Sequence, residues 1–303
     1  MAIPFRTRIA PTPSGYLHLG NAFNFLLTYL LARLHEGQVA LRIDDGDATR
    51  TRPEYLEDIF STLHWLGIEW DSGPTNVEDH HRTYSQGLRQ DRYREALESL
   101  LSAGHGYACR CSRKQILALS PDGKYPGTCR AAMRSSYEVP FAVRTKLEPA
   151  NAEVSIMDFK GGATPSNLID TQGDFVIWRK DNLAAYQLVS TWEDEEAATT
   201  HIVRGKDLWD STAAQLWLAQ ALGYQHLPGI KFLHHPLILS DSAEKLSKSA
   251  GATSLSKMRE VGLTLNAVYH KFYQWLGITE APPDSLHEMA QSDAFRKAMA
   301  YIA

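Results

Sequence analysis

The stretch from Phe5 to Ile43 constrains the fold more than any other part of the chain. Phe5 to Ala10 reads as a short strand. It runs into the loop Pro11-Thr12-Pro13-Ser14-Gly15-Tyr16-Leu17-His18-Leu19-Gly20. From Asn21 to Leu34 apolar residues recur at helical spacing with no Pro or Gly, and Gly37 ends the run. Val39 to Ile43 then reads as a second strand, followed by the polar loop DDGDATR. Strand, helix and strand at this spacing predict a right-handed crossover between parallel neighbours. Ligands of an open parallel sheet sit beyond the carboxyl ends of its strands, so the loop after the first strand is the first candidate site.

Further along, Pro53 opens a helix predicted through Leu66, and another covers Gln90 to Ala103. Residues 106–140 hold Gly, Pro and every cysteine but little periodicity, the mark of an insertion. Strand-like runs follow at 141–146, 154–159 and 175–180. A mixed region between 186 and 222 contains the strand THIVRG and a helix beginning near Asp207. KFLHHPLIL at 231–239 is a further strand, SDSAEKLSKSAG a loop, and a helix from Leu263 to Leu276 precedes a short helical tail. The expected fold class is a doubly wound α/β parallel-sheet domain interrupted by a partly β subdomain. Its expected divisions are 1–105, 106–180 (the insertion), 181–240 and 241–303.

Composition narrows the function. With 303 residues, 44% hydrophobic and 22% charged, the chain has the balance of a soluble globular protein. No apolar run approaches the ~20 residues of a membrane helix. The first residues, MAIPFRTRIAPTPSG, lack a signal-peptide pattern, so a cytoplasmic protein with no membrane partner is expected. A net charge of −4 excludes a globally basic nucleic-acid binder. RNA contact must then be local, and the run holding Arg110, Arg113, Lys114, Lys124, Arg130 and Arg134 is a candidate, although composition alone favours a solvated face there. Cys109, Cys111 and Cys129 cluster in a chain without a secretory signal, which favours a metal site needing a fourth ligand over a disulfide. Spacing alone leaves His105 and Tyr107 among the candidates for that ligand. His80-His81 and His234-His235 have no carboxylate or thiol at ligand spacing and read as surface or core histidines.

Two loops carry the phosphate chemistry. In the first, Gly15 and Gly20 let backbone approach a ligand, the helix start offers N–H groups to anions, and His18 supplies an imidazole donor. No G-x-G-x-x-G or G-x-x-x-x-G-K-[ST] is present, which disfavours a nicotinamide enzyme or a P-loop. In the second, Lys245-Leu246-Ser247-Lys248-Ser249, two lysines beside hydroxyls suit the charge that develops during attack on a polyphosphate.

The sequence P-T-P-S-G-Y-L-H-L-G-N resembles the HIGH signature of class I aminoacyl-tRNA synthetases, and K-L-S-K-S resembles their KMSKS signature. R-I-A-P-T-P-S-G, L-R-I-D-D-G-D-A-T-R, Y-Q-L-V and H-I-V-R-G-K-D-L resemble the glutamyl-/glutaminyl-tRNA synthetase family, from about Arg6 to Leu276. The resemblance implies a Rossmann-like, HUP-type catalytic domain that activates glutamate with ATP and Mg²⁺. It implies that His18, Lys245 and Lys248 are catalytic, and that Pro11, His18, Gly20, Asn21, Lys245 and Lys248 bind ATP. Glutamate would lie on Arg8, Ile9, Ala10, Pro11, Thr12, Asp44, Tyr186 and Arg204. Arg8 and Arg204 would bind carboxylate, Tyr186 would close the pocket and Asp44 would hold the amine. Three departures stand out: Asn21 for the second His of HIGH, Asp44 where the family has Glu, and Val189-Ser190-Thr191-Trp192-Glu193-Asp194 where it has a more apolar run ending in Asp-Asp.

Within the family, the glutamyl-queuosine branch holds a structural zinc by C-x-C…Y-x-x-x-C, which Cys109, Cys111, Tyr125 and Cys129 reproduce. The choice of Tyr125 rests on that resemblance. Only 54 residues (303 − 249) follow Ser249, so an anticodon-binding region is not expected. The expected acceptor is the queuosine-modified anticodon stem-loop of tRNA(Asp), and the expected state is a monomer. A ligase acting on an ordinary tRNA 3′ end or a small acceptor is the first alternative, and a non-catalytic paralogue that binds tRNA or an amino acid is the second.

Overall fold

The computed structural model describes residues 4–47, 49–131, 141–237 and 254–302. Among them the elements run β1 (Arg6–Ile9), α1 (Leu19–Leu34), β2 (Gln38–Leu41), α2 (Pro53–Trp65), α3 (Val77–Asp79), α4 (Gln90–Ser102), β3 (Gly106–Cys109), α5 (Arg113–Leu119), β4 (Ala142–Thr145) and β5 (Glu153–Asp158). They continue as β6 (Ala163–Asn167), α6 (Leu168–Thr171), β7 (Val176–Trp178), α7 (Tyr186–Glu196), β8 (His201–Gly205), α8 (Trp209–Ala221), β9 (Lys231–His235), α9 (Leu255–Glu260), α10 (Leu265–Trp275), α11 (Leu286–Gln291) and α12 (Asp293–Ile302). The described residues divide into two compact units, one within Met1–Gln86, Thr200–Lys206 and Phe232–Ala303, the other within Gly87–Thr199 and Asp207–Lys231. No described helix is long and apolar enough to cross a membrane.

In the first unit β1 and β2 are parallel neighbours, Arg6 opposite Gln38 and Ile9 opposite Leu41, as strand–helix–strand spacing predicts. The pairing runs on past both strands: Arg42 N–H donates to the Ile9 carbonyl and Asp44 N–H to the Pro11 carbonyl, each at 2.9 Å. Every residue of α1 from Phe25 to Ala32 is buried. A helix apolar on all sides must sit inside its unit, and α1 packs against β1, β2, β8 and α11. β8 enters beside β1, where Thr200 N–H donates to the Arg6 carbonyl at 2.9 Å, and β9 lies next to β8. α10 locks onto α2 through the Tyr269 hydroxyl, which donates to the Leu66 carbonyl at 2.9 Å.

The end of α1 differs from the expected glycine stop. Glu36, not Gly37, takes the left-handed conformation, at φ 52°. Gly37 serves close approach: a Cβ there would lie 2.4 Å from the Phe5 carbonyl oxygen. That tightness lets the Phe5 ring stack between His35 and His201, at 5.1 and 4.1 Å between centroids.

The second unit is antiparallel where it is β. β3, β4 and β7 form one sheet, with Gly106 opposite Thr145 and Val143 opposite Trp178, and β5 pairs with β6 as a hairpin. Its helical part packs α7 on α4 and α8. The buried Glu193 carboxylate accepts from Arg89 Nε at 2.7 Å and from the Tyr93 hydroxyl, tying α7 to the α4 start. Three helices here go beyond the sequence expectation, the shortest being α6. α5 lies inside the cysteine segment, started by Ser112, which caps the Gln115 N–H. α7 buries Ser190, Thr191, Glu193 and Asp194, polar residues that hide its helical period.

Candidate functional site

The His18 loop is fixed at its exit from four directions. His18 is the N-cap of α1, and Asn21 Oδ1 accepts its backbone N–H at 3.0 Å. Leu17 N–H donates to Asp58 Oδ2 at 2.8 Å, and the Leu17 carbonyl accepts Leu255 N–H at 2.8 Å. His18 itself makes an antiparallel bridge with Ser254, the first described residue after Lys245 and Lys248 in sequence. Burial pushes the Asp58 carboxyl up, against the opposing pull of the Leu17 N–H, the Arg259 charge and the Ser256 hydroxyl. Asp58 is invisible to motif reading because its partner lies 41 residues away. Lys245 and Lys248 lie outside the described residues.

Of the residues expected to bind glutamate, the first unit holds Arg8, residues 9–12, Asp44 and Arg204. Arg8 on β1 and Arg204 on β8 are 7% and 3% exposed, two buried cations on neighbouring strands. The Arg204 guanidinium lies 5.4 Å from the centre of the Phe232 ring. The backbone bond from Asp44 to Pro11 brings Asp44 to the strand edge predicted to line the pocket. Asp44 is already held: Oδ1 accepts from Arg42 Nε at 2.8 Å and Gln86 Nε2 at 3.0 Å. Asp45 is held separately, by the His80 ring at 3.0 Å, the Ser85 hydroxyl at 2.7 Å and Gln86 N–H at 2.8 Å. Burial disfavours the charged Asp45, but these three hydrogen bonds outweigh it and hold the carboxyl below its ordinary range. His80 is thus a core histidine, as expected, with a partner that spacing could not reveal. Arg42 was legible as a neighbour of Asp44, since residues i and i+2 of an extended chain share a face. Gln86, some 40 residues on, was not.

Tyr186 belongs to the second unit, where it begins α7 and is 41% exposed. In the same helix Asp194 is buried and receives the Ser190 hydroxyl at 3.4 Å. The basic run divides by use. Arg130 pairs with Asp174 at 3.1 Å and Lys124 reaches the Asp170 carbonyl, while Arg113 and Lys114 are exposed on α5. Arg134 lies outside the described residues.

The three cysteines converge. Their sulfurs lie within 4.8 Å of one another, with Cys111 and Cys129 at 3.6 Å. The Tyr125 hydroxyl sits 3.4 Å from Cys109 Sγ and 3.6 Å from Cys111 Sγ, and accepts Cys129 N–H at 2.8 Å. A tetrahedral zinc with sulfur at about 2.3 Å and oxygen at about 2.0 Å has S–S edges of about 3.8 Å and S–O edges of about 3.5 Å. Those distances fit the donor spacing of such an ion, and the Tyr125 hydroxyl, rather than His105 or Tyr107, lies where a fourth ligand would be needed. Tyr107 points elsewhere, donating to Asp174 at 2.6 Å. Burial works against ionising Cys129, but hydrogen bonds led by Tyr125 and the Arg110 N–H bring its thiol down to about 7. Burial and the neighbouring thiols push Tyr125 up.

The fold is that of a class I synthetase catalytic domain, and comparison with known proteins gives the same class. A solved glutamate-tRNA synthetase from Elizabethkingia anophelis superposes with a TM-score of 0.75 at 25% identity, covering 97% of this chain and 66% of that one. The chain belongs to the class I tRNA synthetases (E and Q), catalytic-domain family, whose model matches residues 4–301, and it is a ligase of that class. Among curated relatives, a glutamyl-Q tRNA(Asp) synthetase of Symbiobacterium thermophilum is 38% identical over 91% of this chain and 87% of its own length. A glutamate–tRNA ligase of Hydrogenobaculum is 36% identical over 88% of this chain but only 57% of its own length.

Proposed function

We propose that this chain joins glutamate to ATP as glutamyl-adenylate and passes the glutamyl group to queuosine in the anticodon of tRNA(Asp). The observation that carries activation is the His18–Ser254 bridge, which sets the first described residue beyond Lys245 and Lys248 in sequence beside the His18 loop. An oxygen of the glutamate α-carboxylate attacks the α-phosphorus of ATP, and pyrophosphate leaves. His18, Lys245 and Lys248 offset the charge that develops on the phosphates, in company with Mg²⁺. Pro11, Gly20 and Asn21 shape the loop beside them. Arg8 and Arg204 bind carboxylate, Asp44 takes the amine, Tyr186 closes the pocket and Ile9 to Thr12 line it. A queuosine hydroxyl then attacks the adenylate carbonyl, loses its proton and displaces AMP. Position and charge do the work, with no protein nucleophile.

The Cys109, Cys111, Tyr125 and Cys129 cluster supports the queuosine branch, because that donor set is the one its resemblance implies. These residues would hold one structural zinc, leaving no open position for chemistry. The glutamate–tRNA ligase relatives favour the rival acceptor, the tRNA 3′ end. Labelled glutamate, ATP and queuosine-modified tRNA(Asp) separate the two. After nuclease cleavage the label is expected in the anticodon fragment and absent from unmodified tRNA. Label in the 3′-terminal fragment contradicts the proposal.

A further inference from the structure

Arg144, on β4, touches half of the four-residue donor set without belonging to it. Its Nε donates to Cys109 Sγ at 3.4 Å, and its guanidinium carbon lies 4.0 Å from the centre of the Tyr125 ring. Its Nη1 is anchored on the Asp174 carbonyl at 2.7 Å. Cys109 is wholly buried and Tyr125 is 7% exposed, so water does little to screen charge on either. Three thiolates and a phenolate around a dication leave a net negative charge, and a buried charge is stable only when paired. Arg130, another arginine nearby, already pairs with the Asp174 carboxylate.

We infer that Arg144 is a positioning residue for the metal: it orients Cys109 and Tyr125 and compensates the charge of the filled site. This rests on the zinc reading above. The planar guanidinium suits the task, since one edge donates to sulfur while its face covers the aromatic ring. Outer partners of metal ligands commonly govern affinity by about 10–100-fold.

The test is zinc affinity of the full chain, measured by competition with a chromophoric chelator and by zinc content per chain. Arg144→Leu is expected to bind zinc at least tenfold more weakly than wild type, with Arg144→Lys between them, because it keeps the charge but loses the fork. Tyr107→Phe, which removes the hydroxyl held by Asp174 but keeps the ring packed beside Tyr125, is expected to stay within twofold of wild type. Where Arg144→Leu fails to fold, Arg144→Gln carries the same comparison. Wild-type affinity in the folded Leu or Gln variant overturns the role of Arg144, as does an equal loss in Tyr107→Phe. A wild-type chain that binds no zinc overturns the metal reading, and this inference with it.

Discussion

The His18 loop and the cysteine cluster are both short motifs, but they are stabilised from different distances. The loop depends on Asp58, 41 residues away, and on Ser254 and Leu255 near the other end of the chain. The cluster gathers its donors from within 20 residues, Cys109 to Cys129, with Arg144 from the adjoining strand. Buried polar groups need partners wherever these lie in sequence. The loop is therefore only as rigid as the first unit that supplies its partners, whereas the cluster is a local closure that a metal can fasten directly.

That contrast can be broken at several points. The largest effect is expected at Lys248→Ala, which should slow glutamate-dependent ATP–pyrophosphate exchange roughly 10²–10³-fold with little change in glutamate KM. Exchange kinetics against glutamate concentration check this. Next is metal removal: a strong chelator should lower the wild-type melting temperature by about 5 °C or more, while Cys129→Ser melts low and ignores the chelator. If both proteins respond alike, the cluster is not fastened by metal. Asp58→Ala strands the buried Leu17 N–H and should cost about 1–3 kcal/mol in denaturant unfolding, with a raised KM for ATP.

A smaller effect concerns pH. Burial, with help from Arg204 and His235, holds His234 down at about 4 against an ordinary 6.5. The unfolded chain takes up this proton first on acidification, so stability is full above about 6.5 and drains away toward pH 4. His234→Asn should flatten the melting temperature across that window, and an unchanged slope would remove His234 from the account. The smallest effect is a gain: Glu36→Gly relieves the left-handed backbone and should add about 1 kcal/mol.

How much of this was legible depended on range. The parallel pair β1–β2 was readable because apolar periodicity and Pro/Gly punctuation are local signals. The cysteine donors were readable as spacing, although Tyr125 needed resemblance before the structure placed it 3.4 Å from Cys109. α7 escaped because its buried face carries Ser190, Thr191, Glu193 and Asp194, and the partners of Glu193, Arg89 and Tyr93, lie 104 and 100 residues away. Gln86 and Asp58 escaped for the same reason: each serves a loop some 40 residues away. β6 escaped because Pro165 argues against a strand, yet an edge position next to β5 tolerates it.

The measurement that tests the central claim most directly is ATP–pyrophosphate exchange by the full chain with each amino acid in turn and no tRNA present. Exchange with glutamate alone is predicted, and it would show that Asp44, held by Arg42 and Gln86, serves the pocket that Glu serves in the resembled family. Exchange with a different amino acid, or none with glutamate in the presence of zinc and Mg²⁺, would contradict the account.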